Sequence, residues 1–257
     1  MAISPEPIWI AFDAVGTLIH PEPPVAVAYA EAARRHGSLL TADDIRPRFH
    51  RAWGLSESHD IVGEESARSI LRQSTSEARE RQRWRWIIQE VITDITNHDA
   101  CFEELWQHFA RPTSWRCFPD VADTLVDLAA AGFRLAVASN FDQRLPPICA
   151  NLPELKPIQL CVVSSAVGFR KPSPQFFAAL SRLTGCPPDR LLMVGDDFEN
   201  DVAGARAAGL PARFLNRESA SNRVTDELAS LIELRNELVS SISPSPPQGE
   251  RGPGGEG

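Results

Sequence analysis

A chain of 257 residues, 43% apolar and 23% charged, can bury a useful core without disulfides or structural metal, as one large domain or as a core with an insert. Its formal charge of −8 argues against an extended nucleic-acid footprint or a basic membrane-binding face. The five cysteines are odd in number and form no CxxC pair, which argues against a disulfide frame or a zinc site and for a reducing compartment, cytoplasmic by default.

The first apolar run, Ile8 to Phe12, has the length of a strand, and neither a signal peptide nor a membrane span is expected. It ends at Asp13 and the turn-prone Gly16, as a buried strand of a parallel sheet does, with Asp13 at its carboxyl end. After Pro21, Pro23 and Pro24, residues from about 25 to 110 read almost wholly as helix. Val25 to His36 stops at Gly37, and Thr41 opens a second helix with Asp43 and Asp44 in its first turn. Two more helices are predicted over Glu77 to Ile92 and Asp99 to Ala110.

Strand and helix then alternate. A helix over Asp120 to Ala131 carries Val121, Leu125, Leu128 and Ala129 on one face and ends at Gly132. Strands follow at Phe133 to Ala138 and Leu160 to Ser164. Ser173-Pro174 opens a helix that Gly185 closes. Leu191 to Gly195 is a strand, Asp201 to Ala208 a helix, and Arg213 to Leu215 a short strand. This alternation predicts an α/β fold with a doubly wound parallel sheet. Residues 243–257, rich in Pro, Gly and Ser with no apolar pattern, are expected to be disordered.

Four segments set polar residues beside strand ends: Asp13 to Leu18, Ala138-Ser139-Asn140, Arg170-Lys171-Pro172, and Gly195 to Asp201. In an open parallel sheet such ends face one crevice, so the segments converge. Asp13, Asp196 and Asp201 would repel one another there, and a hard dication such as Mg²⁺ relieves that repulsion. Lys171 adds a point charge for a phosphate or a charged nucleophile, and Ser139 with nearby backbone N–H groups holds phosphate oxygens. One carboxylate is then a candidate nucleophile for an aspartyl-phosphate intermediate. Taken singly, each residue also fits a turn or a helix cap, and only the ordered set points to chemistry.

These four segments resemble, in order, the four motifs of the haloacid dehalogenase superfamily. The helical block between the first two resembles the cap of its subfamily I. The strings Asp13-Ala14-Val15-Gly16-Thr17-Leu18 and Ser139-Asn140-Phe141-Asp142-Gln143-Arg144-Leu145 look most like one subgroup, the haloacid dehalogenase-like hydrolase domain-containing protein three type. The resemblance implies a Rossmann-like core over residues 1–20 and 112–236 with an inserted all-helical cap over 21–111. It implies Asp13 as nucleophile, Ser139 and Asn140 as phosphate-binding, and Lys171 as both catalytic and phosphate-binding. Mg²⁺ would be held by Asp13, Asp196, Asp201 and the backbone carbonyl of Val15.

One position departs from the family pattern. Phosphatases of the family carry a second Asp two residues after the nucleophile as general acid and base, where this chain has Val15. Such a group is worth about 10²–10⁴-fold. Three readings stay open: a weakened Mg²⁺-dependent phosphatase acting on a small phosphate ester, an impaired ligand-binding or regulatory protein, and a metal-independent 2-haloacid dehalogenase, whose halide leaves without a proton. The acidic fourth motif speaks against the last. His20, just after the nucleophile loop, is the substitute acid to test first. Arg79, Arg81, Arg83 and Arg85 interleave with Trp84 and Trp86. They are read as a cap helix with Arg on its wet face and Trp on its packed face, not as a nucleic-acid site.

Overall fold

The computed structural model describes residues 9–58, 73–218 and 227–242. Strand β1 (Trp9–Phe12) is buried at every position, as its unbroken apolar run requires of a strand covered on both faces. A short β2 (Ile19–Pro21) is followed, among the described residues, by the helices α1 (Val25–Arg35), α2 (Ala42–Ser58), α3 (Glu77–Val91) and α4 (His98–His108). The chain returns through β3 (Trp115–Cys117), which pairs antiparallel with β2, Ile19 opposite Cys117. This two-stranded ribbon is the neck between the helical cap and the sheet. Its three-residue strands are too short to display a period, which is why the sequence did not announce them.

Beyond the neck come α5 (Val121–Ala130), β4 (Arg134–Ser139), α6 (Leu145–Ala150), β5 (Leu160–Val163), α7 (Ser164–Val167) and α8 (Pro174–Thr184). Then follow β6 (Leu191–Gly195), a π-helical turn (Phe198–Ala203), α9 (Gly204–Ala207), β7 (Ala212–Leu215), β8 (Glu227–Leu228) and α10 (Leu231–Ile242). The expected helix at Asp201 therefore starts earlier and wider, with Asp197 capping it by accepting from the Asn200 N–H at 3.0 Å. Helix α8 starts and stops where its residues dictate. Ser173 accepts from the Gln175 N–H, Pro174 occupies the first turn, and Gly185 takes the left-handed conformation at φ 64°.

The sheet order is β5-β4-β1-β6-β7-β8, every pairing parallel, with Trp9 in register with both Arg134 and Leu191. Alternate residues face opposite helical layers. Ile10, Phe12, Leu135, Val137, Leu192 and Val194 pack on α5 and α10, through Val121, Leu125, Leu128, Leu231 and Leu234. Trp9, Ala11, Ala136, Ala138 and Met193 pack on Phe176, Phe177 and Leu180 of α8. Full burial of each Val, Leu, Ile, Phe or Met among them is worth roughly 1.5–3 kcal/mol. This is the Rossmann-like core expected, and the cap inserted into it has its own apolar cluster, including Tyr29, Ile45, Ile87, Phe102 and Leu105.

One side chain departs from the expected cap pattern. Trp84 and Trp86 do pack on the cap interior, but Arg83 is buried with them. Its guanidinium donates to the Ser56 hydroxyl at 2.9 and 3.1 Å and lies over the Trp53 ring, which together replace lost water. No helix among the described residues is long and apolar enough to cross a membrane. The expectation for residues 243–257 lies outside the described residues.

Candidate active site

Because β4 and β6 flank β1, the carboxyl ends of the three strands lie side by side, and the chain leaves them in opposite directions. Asp13 follows β1, Ser139 ends β4, and Asp196 follows β6. Lys171 arrives from the loop before α8 and is almost fully buried. Its ammonium donates to Asp13 Oδ1 at 2.7 Å, to Asp201 Oδ1 at 2.5 Å and to the Ala138 carbonyl at 2.8 Å. The four segments thus meet at one point. The other Asp13 carboxylate oxygen has no hydrogen-bond partner among the described residues.

The carboxylates outnumber the base. Oxygens of Asp13, Asp196 and Asp201 lie within 4.8 Å of one another. Burial works against the Lys171 charge, but Asp13 and Asp201 outweigh it and hold the ammonium above its ordinary range. The surplus negative charge falls on the acids. Burial, then the nearby Asp13 charge, push Asp196 up to about 6, although Thr17 donates to it at 2.7 Å. Burial and Asp13 push Asp201 up to about 7 against the pull of Lys171.

A dication fits this donor set, since three carboxylates against one ammonium leave a net negative site of hard oxygen ligands. The backbone agrees. The Ala14 carbonyl accepts from Leu18 and Ile19, and the Gly16 carbonyl from Arg217, while the Val15 carbonyl between them accepts no hydrogen bond among the described residues. The Val15 side chain is 37% exposed and lines the cavity above Asp13.

Ser139 is buried and lines the same cavity. Asn140 also lines it, but its side-chain amide is already engaged. It donates to the Lys171 carbonyl at 2.9 Å and accepts from the Lys171 N–H at 2.7 Å, so it fixes the lysine's backbone. His20 is not among the residues lining the cavity. It sits in β2, its ring 4.9 Å from that of Phe118.

Three features had no signal in the sequence. Arg217 donates to the Thr17 carbonyl at 2.8 Å and forks onto Asp120 at 2.9 and 3.0 Å, bracing the loop after Asp13 from 200 residues away. Arg144 forks onto the buried Asp142 at 2.7 and 2.8 Å and lies 3.4 Å over the Trp106 ring of the cap. Glu77, in the first turn of α3, accepts from the Gln143 N–H at 3.1 Å and from the Ser165 hydroxyl, joining cap to core. Nearby, the Thr75 N–H donates to the Gly168 carbonyl and the Arg170 N–H to the Gln73 carbonyl.

A family model described as haloacid dehalogenase-like hydrolase matches residues 9–209. The chain is 29% identical over 206 residues to haloacid dehalogenase-like hydrolase domain-containing protein 3 of Homo sapiens, covering 78% of each chain. Among solved structures it resembles the HAD phosphatase from Thermococcus onnurineus, at TM-score 0.59, 23% identity, and 90% and 97% coverage of the two chains. It also resembles the L-2-haloacid dehalogenase RSc1362, at TM-score 0.67, 19% identity, and 91% and 99% coverage. At such identities the likeness is one of fold, and that fold serves both chemistries.

Proposed function

Because the chain belongs to the haloacid dehalogenase-like hydrolase family, we propose that it is a slow, Mg²⁺-dependent phosphatase acting on a small-molecule phosphate ester through an aspartyl intermediate at Asp13. The observation that carries this reading is the cluster of Asp13, Asp196 and Asp201 around the Lys171 ammonium. An anionic pocket of this kind suits a bound dication and a phosphoryl group, and has little to offer a metal-free attack on an anionic haloacid.

Asp13, Asp196, Asp201 and the Val15 carbonyl would hold Mg²⁺. When bound, the ion would supply positive charge to the carboxylates and to phosphate oxygens. Lys171 keeps its proton and neutralises Asp13 and the incoming phosphate. Ser139 donates to a phosphate oxygen, and Asn140 acts as a positioning residue through the Lys171 backbone. A carboxylate oxygen of Asp13 bonds to phosphorus as the bond to the ester oxygen breaks, its electron pair leaving with the alkoxide. Val15 has no proton to give, so the alkoxide takes one from water. A second water then attacks the phosphorus as the bond from phosphorus to the Asp13 oxygen breaks, its proton neutralising the hydroxide left by the first, and phosphate is released with the carboxylate restored. Both proton transfers lack a positioned group, hence a slow enzyme.

In this reading residues 21–111 form the cap that chooses substrate, and 1–20 with 112–236 the catalytic core. The free thiols suit a reducing, cytoplasmic setting. Val15 also favours a second reading, dehalogenation, because a halide needs no proton. A screen of phosphate esters and haloacids, with Mg²⁺ and with chelator, tests both. Phosphate release that needs Mg²⁺ and vanishes in Asp13→Asn is expected. Turnover of a 2-haloacid in excess chelator would establish the dehalogenase instead.

A further inference from the structure

The acids floor a cavity of about 610 Å³ in all, within the range of pockets that enclose a drug-sized molecule. Its upper wall is a set of rings: Tyr29, Phe49, Trp53 and Trp84 from the cap, Trp115 and Phe141 from the core. These rings pack on one another. Phe49 stacks on Trp53 at 6.2 Å, Trp53 meets Trp84 at 5.5 Å, and Trp115 meets Phe141 at 5.9 Å.

The arginines on that wall are matched already. Arg144 is forked onto Asp142, and Arg170 lies 3.9 Å from Glu80. A second anionic group on the substrate would find no unpaired arginine or lysine there among the described residues, and the solvent-exposed imidazole of His50 is the one other basic group on the lining. The Tyr29 hydroxyl has no hydrogen-bond partner among the described residues and, like the indole N–H groups of Trp53 and Trp84 beside it, is open to an acceptor.

The phosphate of a short, hydrated alcohol would occupy the floor and leave the ring-lined volume to water held against apolar walls, which is unfavourable. We propose that the substrate is a phosphate monoester whose alcohol is a large, uncharged, ring-bearing group. The phosphate sits at Asp13, the ring against Tyr29, Trp53 and Trp84, and an acceptor on the ring takes the Tyr29 hydroxyl hydrogen. This rests on the phosphatase reading of the site and adds the class of alcohol.

The test compares naphthylethyl phosphate with ethyl phosphate, both alkyl esters, so that leaving-group reactivity is matched. With Mg²⁺, kcat/KM is expected to favour the naphthyl ester by about 100-fold. The two corresponding phosphonates, which cannot be hydrolysed, are titrated in parallel against tryptophan fluorescence and by calorimetry. The naphthyl phosphonate is expected to bind about 100-fold tighter. In folded Trp53→Ala the preference between the esters is expected to fall about tenfold.

Equal kcat/KM for the two esters, or a preference for the ethyl ester, would overturn the assignment. So would an unchanged preference in Trp53→Ala. If neither ester is hydrolysed but the naphthyl phosphonate keeps its advantage, the ring-binding cavity stands and the phosphatase reading falls. If neither ester is hydrolysed and neither phosphonate is preferred, both fall.

Discussion

Gly16 passes so close to Asp196 that a Cβ on it would stand 2.1 Å from a carboxylate oxygen. The contact is with the side chain of a proposed metal ligand, and the glycine itself has φ +95°. Gly16→Ala therefore carries two penalties. The strained backbone alone should cost ~1 kcal/mol or more, a fall of roughly 2–4 °C in Tm. Displacement of Asp196 should also weaken Mg²⁺ binding by calorimetry. A variant that keeps both parent Tm and parent Mg²⁺ affinity would refute the close approach.

Val15→Asp restores the group missing from the nucleophile loop. Since the side chain already opens onto the cavity, the new carboxylate would meet water instead of an apolar core. Phosphatase activity is expected to rise within the range of about 10²–10⁴-fold, more for alkyl than for aryl esters, whose leaving groups need less protonation. A folded variant no faster than the parent on either class would mean that Val15 does not limit the chemistry.

Lys171→Met removes the only ammonium from among Asp13, Asp201 and Asp196. Breaking a buried ion pair from one side costs about 3–5 kcal/mol, which should lower Tm by roughly 10 °C in chelator. Mg²⁺ should restore more of that loss in the variant than it adds to the parent, because the dication replaces the missing charge. Equal Mg²⁺-induced shifts in the two proteins would show that ion and lysine do not share one charge balance.

Asp94 anchors the loop between α1 and α2, accepting from the Ser38 hydroxyl at 2.7 Å and from the Leu39 N–H at 2.8 Å. The Ser38 hydrogen bond leads in holding its carboxyl below the usual range, against the opposing effect of desolvation and with help from the Leu39 N–H. A depressed folded pKa gives stability that is present above the unfolded value and lost as pH falls through the folded one. Asp94→Ala should thus lower Tm modestly near pH 7, with a deficit that shrinks as pH falls into the acid range, by differential scanning calorimetry at each pH. A deficit that grew as pH fell would reverse the sign and reject the assignment.

Much of the site could be read before the fold was known, because Asp13, Ser139 and Asp196 each directly follow or close an apolar strand run. Strand ends in an α/β sheet carry their own address. Lys171 was legible as a charge beside a helix start, but its reach to both Asp13 and Asp201 belongs to the folded loop. Arg217, Arg144 and Glu77 were not legible. Each acts through a partner brought near only by the tertiary fold, or, for Arg144 and Asp142, through burial that adjacency in sequence does not reveal. Asn140 illustrates a subtler limit. Its position was legible, while the spending of its amide on the Lys171 backbone depends on loop geometry that no local pattern records.

The Glu77 contact bears on how the protein would behave in different ionic media. Its carboxylate holds the core through a backbone N–H and a hydroxyl, so the fastening is an ion–dipole one with no opposing charge for electrolyte to screen. A cap tied down by exposed carboxylate–guanidinium pairs would loosen as salt rose. This contact should keep its grip from dilute buffer to brine, so that exchange of the Gln143 amide hydrogen with solvent, followed without substrate, stays nearly flat with ionic strength.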